Sequence, residues 1–582
     1  MKRFDVRTDP ATGVRQLAVY ARGSALTDDP ILNKGTCFTR AEREALGLVG
    51  LLPPSIQTED EQFVRAYENY LRADGDVRKY LFLAGLQDRN ETLFCKLVLE
   101  HLLEMVPIIY TPTVGKACEQ FSHLYRRSRG LYVSPDERGH IRDVLRNSTC
   151  DDPRVIVITD NEAILGIGDQ GVGGMPIAIG KLALYAVGAG IHPAQCLALD
   201  LDIGTERTDL LADPLYLGVR ERRLRGEPYF SLLDELVDAI AEVFPNTLVQ
   251  WEDFASLNAF AVLNRYRQRL LSFNDDIQGT GAVVVAGIRT ALTRVGSSLR
   301  DARIVFHGAG ASGAGCALAV RTAMRVAGVA ESELSERVLC LDSKGLLMTD
   351  RPGLEEPKRT LATDPAFVAS WPDRKAGWPS LGEVVRNFRP TVLVGVSGQP
   401  GAFTETIIRD MMAACPRPIV LSLSNPTARV EVAPTELMKW TNGMAIMGTG
   451  SPFANVDING RTIAIGQGNN VLIFPGVGLG ATVVKARWLP DEAFAAAANA
   501  LADYTSTHRW PGDPIYPPLT ELREASRRVA TAVAAELVRV GAAAPMQAEE
   551  IDRQVRDQMW TPAYLPYVAG APTEEEHPAL AT

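Results

Sequence analysis

Apolar residues follow two different spacings along the chain, and the change of spacing predicts where helices give way to sheets. Between about residues 39 and 127 they recur every three or four positions, which predicts an α-rich region. After Gly130 short β-branched runs that end in polar residues alternate with helical stretches, the order expected of a parallel α/β sheet. The strands predicted for this first sheet are residues 154–160, 196–200 and 247–252.

A second α/β run follows, and its strands are almost continuously apolar, as is typical of strands buried on both faces. These strands are predicted at residues 303–307, 338–342, 391–395, 418–423 and 444–447. The chain from about 492 to 540 is again helical, and the residues beyond it are predicted to be a partly extended tail. The fold class is therefore α/β, with an α-rich N-terminal domain and two parallel-sheet α/β domains. The glycine-rich turn at residues 308–313 makes the second of these a Rossmann-type dinucleotide-binding domain and leaves the first as the substrate domain.

The domain limits that we predict place two extensions around these three parts. The extension 1–22 is expected to pack with the C-terminal tail, which belongs to the extension 541–582. The three domains are expected at 23–128 for the helical part, 129–276 with 467–540 for the substrate domain, and 277–466 for the dinucleotide-binding domain.

Composition narrows the classes of protein that fit this pattern. The chain has 582 residues, 46% of them hydrophobic, and a net charge of -10, which disfavours nucleic acid and anionic membranes as partners. No uninterrupted apolar run reaches the roughly 18 residues that a membrane span requires. Eight scattered cysteines without a Cys-x-x-Cys pair suggest neither a zinc site nor a disulfide framework. We therefore expect a cytoplasmic protein.

Two glycine-rich stretches match the pattern of a dinucleotide-binding turn, and only one of them suits a phosphate. In the stretch 308–315 no side chain is larger than serine, so a pyrophosphate has free access to the N-terminus of the following helix. The rival stretch, 166–171, carries Asp169, whose carboxylate would lie inside the phosphate cradle. The predicted cofactor loop comprises Gly308, Gly310, Ala311, Ser312 and Gly313. A glycine-rich turn that binds no ligand is the alternative.

The identity of the dinucleotide is left open between NAD and NADP. The next predicted strand ends at Asp342, whose carboxylate is placed to hold the ribose hydroxyls of NAD. Lys358 and Arg359 are within reach of a 2′-phosphate, although two basic residues in a solvated loop are the commoner case.

Two acidic pairs, Glu252–Asp253 and Asp275–Asp276, lie roughly twenty residues apart with no histidine beside them. Carboxylates without histidine suit a hard cation such as Mg²⁺ or Mn²⁺, although each pair alone would pass for helix caps or turn acids. Lys181 occurs in an apolar helix, where burial favours loss of its proton and hence a role as a base. A surface lysine with its stem on apolar neighbours is the alternative.

These residues stand in blocks whose order and spacing resemble the malic enzymes over nearly the whole chain. The blocks include residues 109–115 (Ile-Tyr-Thr-Pro-Thr-Val-Gly), 273–280 (Phe-Asn-Asp-Asp-Ile-Gln-Gly-Thr), 423–427 (Leu-Ser-Asn-Pro-Thr) and 466–475 (Gly-Gln-Gly-Asn-Asn-Val-Leu-Ile-Phe-Pro). The resemblance implies oxidative decarboxylation of L-malate to pyruvate and CO2 with reduction of NAD(P), and also decarboxylation of oxaloacetate. It further implies a divalent metal and a homotetramer built as a dimer of dimers.

The resemblance also assigns roles to individual residues. Lys181 is implied to be the general base, Asp275 its partner and Tyr110 the general acid. Asn425 and Asn470 are implied to contact the substrate, and Asn425 with Asn469 the cofactor. The implied metal ligands are Glu252, Asp253 and Asp276.

One departure from the family pattern concerns the substrate. Many malic enzymes carry an arginine that clamps a substrate carboxylate where this chain has Ala163. A small residue there also occurs in malolactic enzymes, so malate conversion to lactate with retained NAD is an alternative. A non-catalytic dinucleotide-binding regulator is a third. Arg65 and Arg89 match two arginines of an activator site in the family, and Gln57 replaces an acid of that site.

Overall fold

The fold begins with two short strands and a set of helices. The computed structural model describes residues 3–372, 377–425 and 427–570. Several helices start at capping residues, and Thr58, for example, accepts a hydrogen bond from Glu61 in a capping box. The elements are β1 Phe4–Thr8, β2 Arg15–Val19, α1 Ser24–Thr27, α2 Arg40–Ala45, α3 Glu59–Leu71, α4 Asp76–Gln87, α5 Glu91–Glu100, α6 Leu102–Ile109, α7 Thr113–Glu119 and α8 Phe121–Leu124.

A five-stranded parallel sheet follows, with strand order β3-β5-β4-β6-β7. Its central strand β4 is buried along its whole length because helices cover both faces of the sheet. The elements are β3 Leu131–Val133, α9 Ile141–Arg146, β4 Val155–Thr159, α10 Met175–Leu184, β5 Cys196–Leu201, α11 Thr208–Ala212, α12 Glu227–Val243, β6 Leu248–Trp251, α13 Ser256–Tyr266, β7 Ser272–Asn274 and α14 Thr280–Arg294.

The second sheet has seven strands in the order β10-β9-β8-β11-β12-β13-β16, all parallel except the edge strand β10. A separate hairpin, β14–β15, lies beside it. The elements are β8 Ile304–His307, α15 Ala311–Val326, α16 Glu331–Arg337, β9 Val338–Asp342, β10 Gly345–Leu346, α17 Glu356–Leu361, α18 Pro365–Val368, α19 Leu381–Phe388, β11 Val392–Gly395, α20 Glu405–Ala414, β12 Ile419–Ser422, α21 Pro434–Trp440, β13 Ile446–Thr449, β14 Val456–Ile458, β15 Arg461–Ile463 and β16 Gly466–Gln467.

Helices complete the chain, and its last described strand returns to the N-terminus. Strand β17 pairs parallel with β2, so the two ends of the described chain share one three-stranded sheet. Residues 571–582 of the predicted C-terminal extension lie outside the described residues. The elements are α22 Phe474–Val483, α23 Asp491–Thr507, α24 Leu522–Arg539, α25 Ala548–Gln558 and β17 Tyr567–Ala569.

The predicted strands are confirmed to within one or two residues, and the differences are informative. Within the predicted α-rich region, helix α5 is separated from α6 at His101, whose ring stacks on Tyr67 at a centroid distance of 3.9 Å. The expectation of a partly extended tail was wrong for residues 548–558, because Ile551 and Val555 bury one face of helix α25. Strands β3, β7 and β10 were missed because each has only two or three residues.

One stretch of the described chain, Gly171–Ala189, is long and apolar enough to cross a membrane by length and composition alone. It contains α10, and 94% of its most apolar window is buried inside the protein. Such burial is what the core helix of a folded domain shows.

Close packing of α22 on α24 generates a prediction for stability. A Cβ atom added to Gly480 would lie 2.5 Å from the carbonyl oxygen of Ala530, so Gly480→Ala forces the two helices apart. We expect this change to lower the free energy of unfolding by about 1–3 kcal/mol.

Gly85→Ala on α4 is the matched control, because its nearest neighbouring atom, on Arg89, would be 3.7 Å away. A gain of roughly 0.5–1 kcal/mol is expected there from helix propensity. Chemical denaturation of both variants measures the difference, and equal midpoints would contradict the packing argument.

Candidate active site

Lys181 lies at the centre of a buried charged cluster at the carboxyl edge of the five-stranded sheet. Its side chain is 1% exposed, and its Nζ lies 2.7 Å from Glu252 Oε1 and in direct contact with Asp275 Oδ2. Helix α10 brings Lys181 to this position, while Glu252 follows β6 and Asp275 follows β7. The lysine is thus a buried ion-pair partner, and the surface-lysine alternative is wrong.

Three carboxylates form a compact set of oxygen donors beside this lysine. One oxygen from each of Glu252, Asp253 and Asp276 lies within 4.8 Å of the other two. Such a set fits a divalent cation that prefers carboxylate oxygens. Asp275 Oδ1 is also buried and has no hydrogen-bond partner among the described residues. These residues could therefore hold Mg²⁺ or Mn²⁺.

Burial and mutual repulsion shift the pKa values of these acids upward. Burial raises the pKa of Glu252 and of Asp253 well above the ordinary range, and the nearby Asp276 carboxylate adds to both shifts. Burial likewise raises the pKa of Asp276 to about 6, against the opposing attraction of Lys181. Binding of a cation would relieve the repulsion that produces these shifts.

The charge of Lys181 differs from the sequence expectation. Burial alone lowers the pKa of its ammonium, but the Asp275 and Glu252 carboxylates outweigh burial and raise this pKa well above its usual value. The expectation that burial makes Lys181 neutral was therefore wrong for the cation-free site. The reason is that both carboxylates lie within contact distance, which the sequence does not reveal.

Tyr110 and Asn470 complete the surroundings of this cluster. The Tyr110 ring centroid lies 5.2 Å from Lys181 Nζ, and burial raises the pKa of the Tyr110 hydroxyl. Asn470 Nδ2 donates to Asp275 Oδ2 at 3.0 Å and to Thr280 Oγ1 at 2.8 Å. Thr280 was missed by the sequence reasoning, although it ends the motif that contains Asp275.

Gln250 is a second residue that the sequence reasoning missed. Its Nε2 donates to Glu252 Oε2 at 2.8 Å, and its Oε1 accepts from the Tyr185 hydroxyl at 2.6 Å. Its position on β6, two residues before Glu252, is the only signal that pointed to it. Gln250 fixes the orientation of the Glu252 carboxylate.

Asp253 has a backbone conformation that is unusual for a residue with a side chain. Its φ is 57°, in the left-handed region. The backbone N–H of Asp253 donates to Asp276 Oδ2 at 2.9 Å, and its carboxylate accepts from Leu165 N at 3.0 Å. The Asp253 carbonyl accepts from the backbone N–H of Ala163 at 3.0 Å. The backbone of Ala163 thus lies next to Asp253, one of the three clustered acids.

The predicted cofactor loop joins β8 to α15 at the point where the strand order of the seven-stranded sheet reverses. Dinucleotides bind at such switch points in open parallel sheets. Helix α15 begins at Ala311, with Ser312 and Gly313 in its first turn. Gly308 has a φ of 119°, and a Cβ atom there would meet the Val396 carbonyl at 2.4 Å. Gly310 faces open space, which leaves room for a ligand.

Asp342 stands at the carboxyl end of β9 but is not a free carboxylate. Arg351 donates to both of its oxygens, at 2.9 and 2.6 Å, and Lys358 Nζ lies 3.8 Å away. This pairing outweighs burial and lowers the pKa of Asp342. Arg359 instead donates to the Leu354 carbonyl. Of the two basic residues singled out, only Lys358 faces Asp342.

The two asparagines expected near the nicotinamide follow strands of the seven-stranded sheet. Asn425 Oδ1 accepts a hydrogen bond from Ser451, and Asn469 Oδ1 accepts from Val471 N at 3.0 Å. Glu431, which is fully buried, accepts hydrogen bonds from Ser397 Oγ at 2.8 Å and from Ser424 Oγ at 2.6 Å. Glu431 therefore fixes the loops that follow β11 and β12.

The rejected stretch 166–171 has a structural role. The Asp169 carboxylate accepts from Thr205 Oγ1 at 2.9 Å, from Glu206 N at 2.8 Å and from Arg223 at 3.2 Å. Arg223 is itself buried. Asp169, whose carboxylate disfavours phosphate binding, instead stabilises this loop through these hydrogen bonds.

Arg65 and Arg89 lie outside this cluster, on the helical N-terminal part. Arg65 is exposed on α3, whereas Arg89 donates to the Gly85 carbonyl at 2.7 Å. Gln57 Oε1 accepts from Thr36 at 2.9 Å. Within the described residues no hydrogen bond or ion pair joins the two arginines.

Comparison with known proteins agrees with this architecture. A family model described as malic enzyme, N-terminal domain, matches residues 87–267, and one described as malic enzyme, NAD binding domain, matches residues 277–538. The chain belongs to the malic enzyme family. Its relatives include the NAD-dependent malic enzymes of Pseudomonas savastanoi pv. phaseolicola and Aliivibrio fischeri, 45% and 43% identical, each over 95% of this chain and 98% of the relative.

Solved malic enzymes share the fold. The structure from Entamoeba histolytica superposes with a TM-score of 0.55 at 21% identity, covering 88% of this chain and 90% of that one. The structure from Pyrococcus horikoshii gives 0.53 at 24% identity, over 78% and 89%. The predicted family and fold class are confirmed.

The raised pKa of Asp276 generates a prediction about cation binding. Because a cation requires the ionised carboxylate, protonation of Asp276 competes with binding below pH 6. We expect the Mn²⁺ affinity to be at least about tenfold weaker at pH 5 than at pH 7. Titration calorimetry at the two pH values measures this ratio. Asp301→Asn, on the surface, should keep the same ratio, and a pH-independent affinity would contradict the argument.

Glu431 provides a prediction about the cofactor loops. Glu431→Gln replaces one acceptor oxygen by an amide donor, so it breaks hydrogen bonds to the serines of two loops. We expect the KM for NAD to rise about tenfold, equivalent to about 1.4 kcal/mol. Glu436→Gln, on the exposed face of α21, should leave this KM unchanged. An equal KM in both variants would rule out a positioning role for Glu431.

Proposed function

We propose that this protein catalyses oxidative decarboxylation of L-malate to pyruvate and CO2 with reduction of NAD, and that a divalent cation is required. The observation that carries the proposal is the contact of Lys181 with Asp275 and Glu252, next to the three-carboxylate set. The names of the relatives, NAD-dependent malic enzyme, support the substrate and the cofactor. Decarboxylation of oxaloacetate is proposed as a second activity of the same site.

Glu252, Asp253 and Asp276 are proposed to hold the cation. When bound, Mg²⁺ or Mn²⁺ supplies positive charge that stabilises negative charge on the malate C2 oxygen during oxidation and decarboxylation. Neutralising Glu252 in this way removes one of the two attractions that keep Lys181 protonated. Lys181 can then lose its proton, and its neutral amine can accept one from the substrate.

In this proposal Lys181 Nζ accepts the proton of the C2 hydroxyl as the hydride on C2 leaves for NAD, and Asp275 holds the resulting ammonium. Tyr110 Oη donates a proton to C3 after CO2 has left, and the nearby Lys181 returns a proton to Tyr110. Asn425 and Asn470 orient the substrate. The proposed cofactor-binding residues are Gly308, Gly310, Ala311, Ser312, Gly313, Asp342, Asn425 and Asn469.

The proposed surroundings of this activity are a homotetramer and the cytoplasm. Large apolar side chains that are exposed in the N-terminal part support association of subunits; they are Val49, Leu51, Val64, Leu71 and Leu103. The cysteines are free thiols in the described structure, which supports a reducing compartment. Regulation through Arg65 and Arg89 stays a prediction, as do the domain limits.

Lys181→Ala tests the proposal. We expect turnover with L-malate, NAD and Mn²⁺ to fall about 10²–10⁴-fold, because the base is lost, while NAD binding is retained. Lys439→Ala, on the exposed face of α21, is the control and should keep full activity. Unchanged turnover in Lys181→Ala would overturn the assignment.

The released product is measured in the same assay. Pyruvate formed in equal amount to NADH supports the proposal, because both are products of one oxidation. Lactate without NADH would instead identify the malolactic alternative, for which Ala163 was the motive. Binding of NAD with no malate consumption would identify the regulator.

A further inference from the structure

A cavity of about 510 Å³ opens at the amino edge of the seven-stranded sheet, opposite the edge that carries the cofactor loop. The start of β13, the β14–β15 hairpin and the loop 510–515 form its walls. Its volume lies in the range of small-molecule sites, roughly 300–1,000 Å³. None of the residues assigned to the proposed reaction lines it.

Three arginines converge on this cavity, namely Arg294, Arg417 and Arg461, against a single acid, Asp513. Asp513 pairs with Arg294 at 2.9 Å. Arg417 donates to the backbone carbonyl of Arg294 at 3.2 Å and forms no ion pair within the described residues, and neither does Arg461. The cavity therefore carries an excess of two positive charges in a chain whose net charge is -10.

Arg294 and Arg417 lie close together although their guanidinium groups repel each other. The Arg294 side chain is 14% exposed, and burial together with the neighbouring Arg417 guanidinium lowers its pKa. Arg294 is held in place by the loop, since it donates to the Pro514 carbonyl at 2.6 Å. An anion bound between the guanidinium groups would remove this repulsion. On a fully solvated surface the same groups would have no reason to approach each other.

The remaining wall offers aromatic and apolar surface. Trp510 lines the cavity, and its indole N–H is buried without a hydrogen-bond acceptor in the described structure. The Trp510 ring stacks on His508 at 5.4 Å. Met444, also in the wall, is 43% exposed. A ligand with an anionic end and a less polar body matches this distribution.

We propose that the cavity binds a phosphate-bearing small molecule, at a site separate from the dinucleotide loop. Guanidinium groups bind phosphate oxygens through paired hydrogen bonds, and within the described part of the chain Arg417 and Arg461 pair with no acid that would occupy their donors. The excess of two charges matches a doubly charged phosphate. This assignment goes beyond the proposed malate reaction and does not rest on it.

Titration calorimetry with inorganic pyrophosphate tests the site in the full-length protein. NAD is present at saturation so that the glycine-rich loop is filled, EDTA removes divalent cations, and ionic strength is constant. We expect saturable binding of one pyrophosphate per chain. Arg417→Gln/Arg461→Gln should weaken it at least about tenfold, the loss of about 1.4 kcal/mol expected when charged hydrogen bonds are removed.

The control is Arg15→Gln/Arg22→Gln, which removes the same charge from two exposed arginines near the N-terminus. It should bind pyrophosphate as the unaltered protein does. No saturable binding in the presence of NAD, equal weakening in both double variants, or binding that NAD competes away would each overturn the proposal. Should the first double variant misfold, Arg461→Gln alone, on the exposed hairpin, serves for the same comparison.

Discussion

Three buried carboxylates, a half-buried fourth and one buried ammonium lie together where the five-stranded sheet ends, and the rest of the site is arranged around their uncompensated charge. Lys181 neutralises one of the four acids, Glu252, Asp253, Asp275 and Asp276. Burying unpaired charge is costly, and burial raises the pKa values of Glu252, Asp253 and Asp276. The same cost makes the cluster a strong candidate for binding a divalent cation.

The backbone around this cluster departs from regular geometry at the residues that carry the acids. Asp253 has a positive φ, and Asp275–Gly279 form a π-helical turn at the start of α14. Both features redirect side chains that regular structure would point elsewhere. The backbone N–H of Asp253 then donates to Asp276, so each departure supports the other.

A close contact between helix α15 and the π-helical turn joins the cofactor loop to the acidic cluster. A Cβ atom at Gly315 would lie 2.9 Å from the Ile277 backbone, so only glycine lets α15 approach the π-helical turn this closely. Helix α15 begins at the glycine-rich loop, and Ile277 follows Asp275 and Asp276 directly. The proposed cofactor site and the proposed substrate site are therefore connected by the packing of α15 on the π-helical turn. A movement of α15 would change the positions of Asp275 and Asp276.

The sequence alone determined the central strands and the chemical groups, because both depend on residues that are near neighbours in the chain. Short, almost continuously apolar runs located the central strands, and the glycine pattern located the turn before α15. The motifs also named Lys181, Asp275 and the three clustered acids. Tertiary structure decided the charge on Lys181, the pairing of Asp342 with Arg351, the break at His101 and the cavity around Arg417. Each of these depends on the distances between groups that packing or a loop brings together. Charge states and ion pairs are set by such distances and not by the order of residues in the sequence.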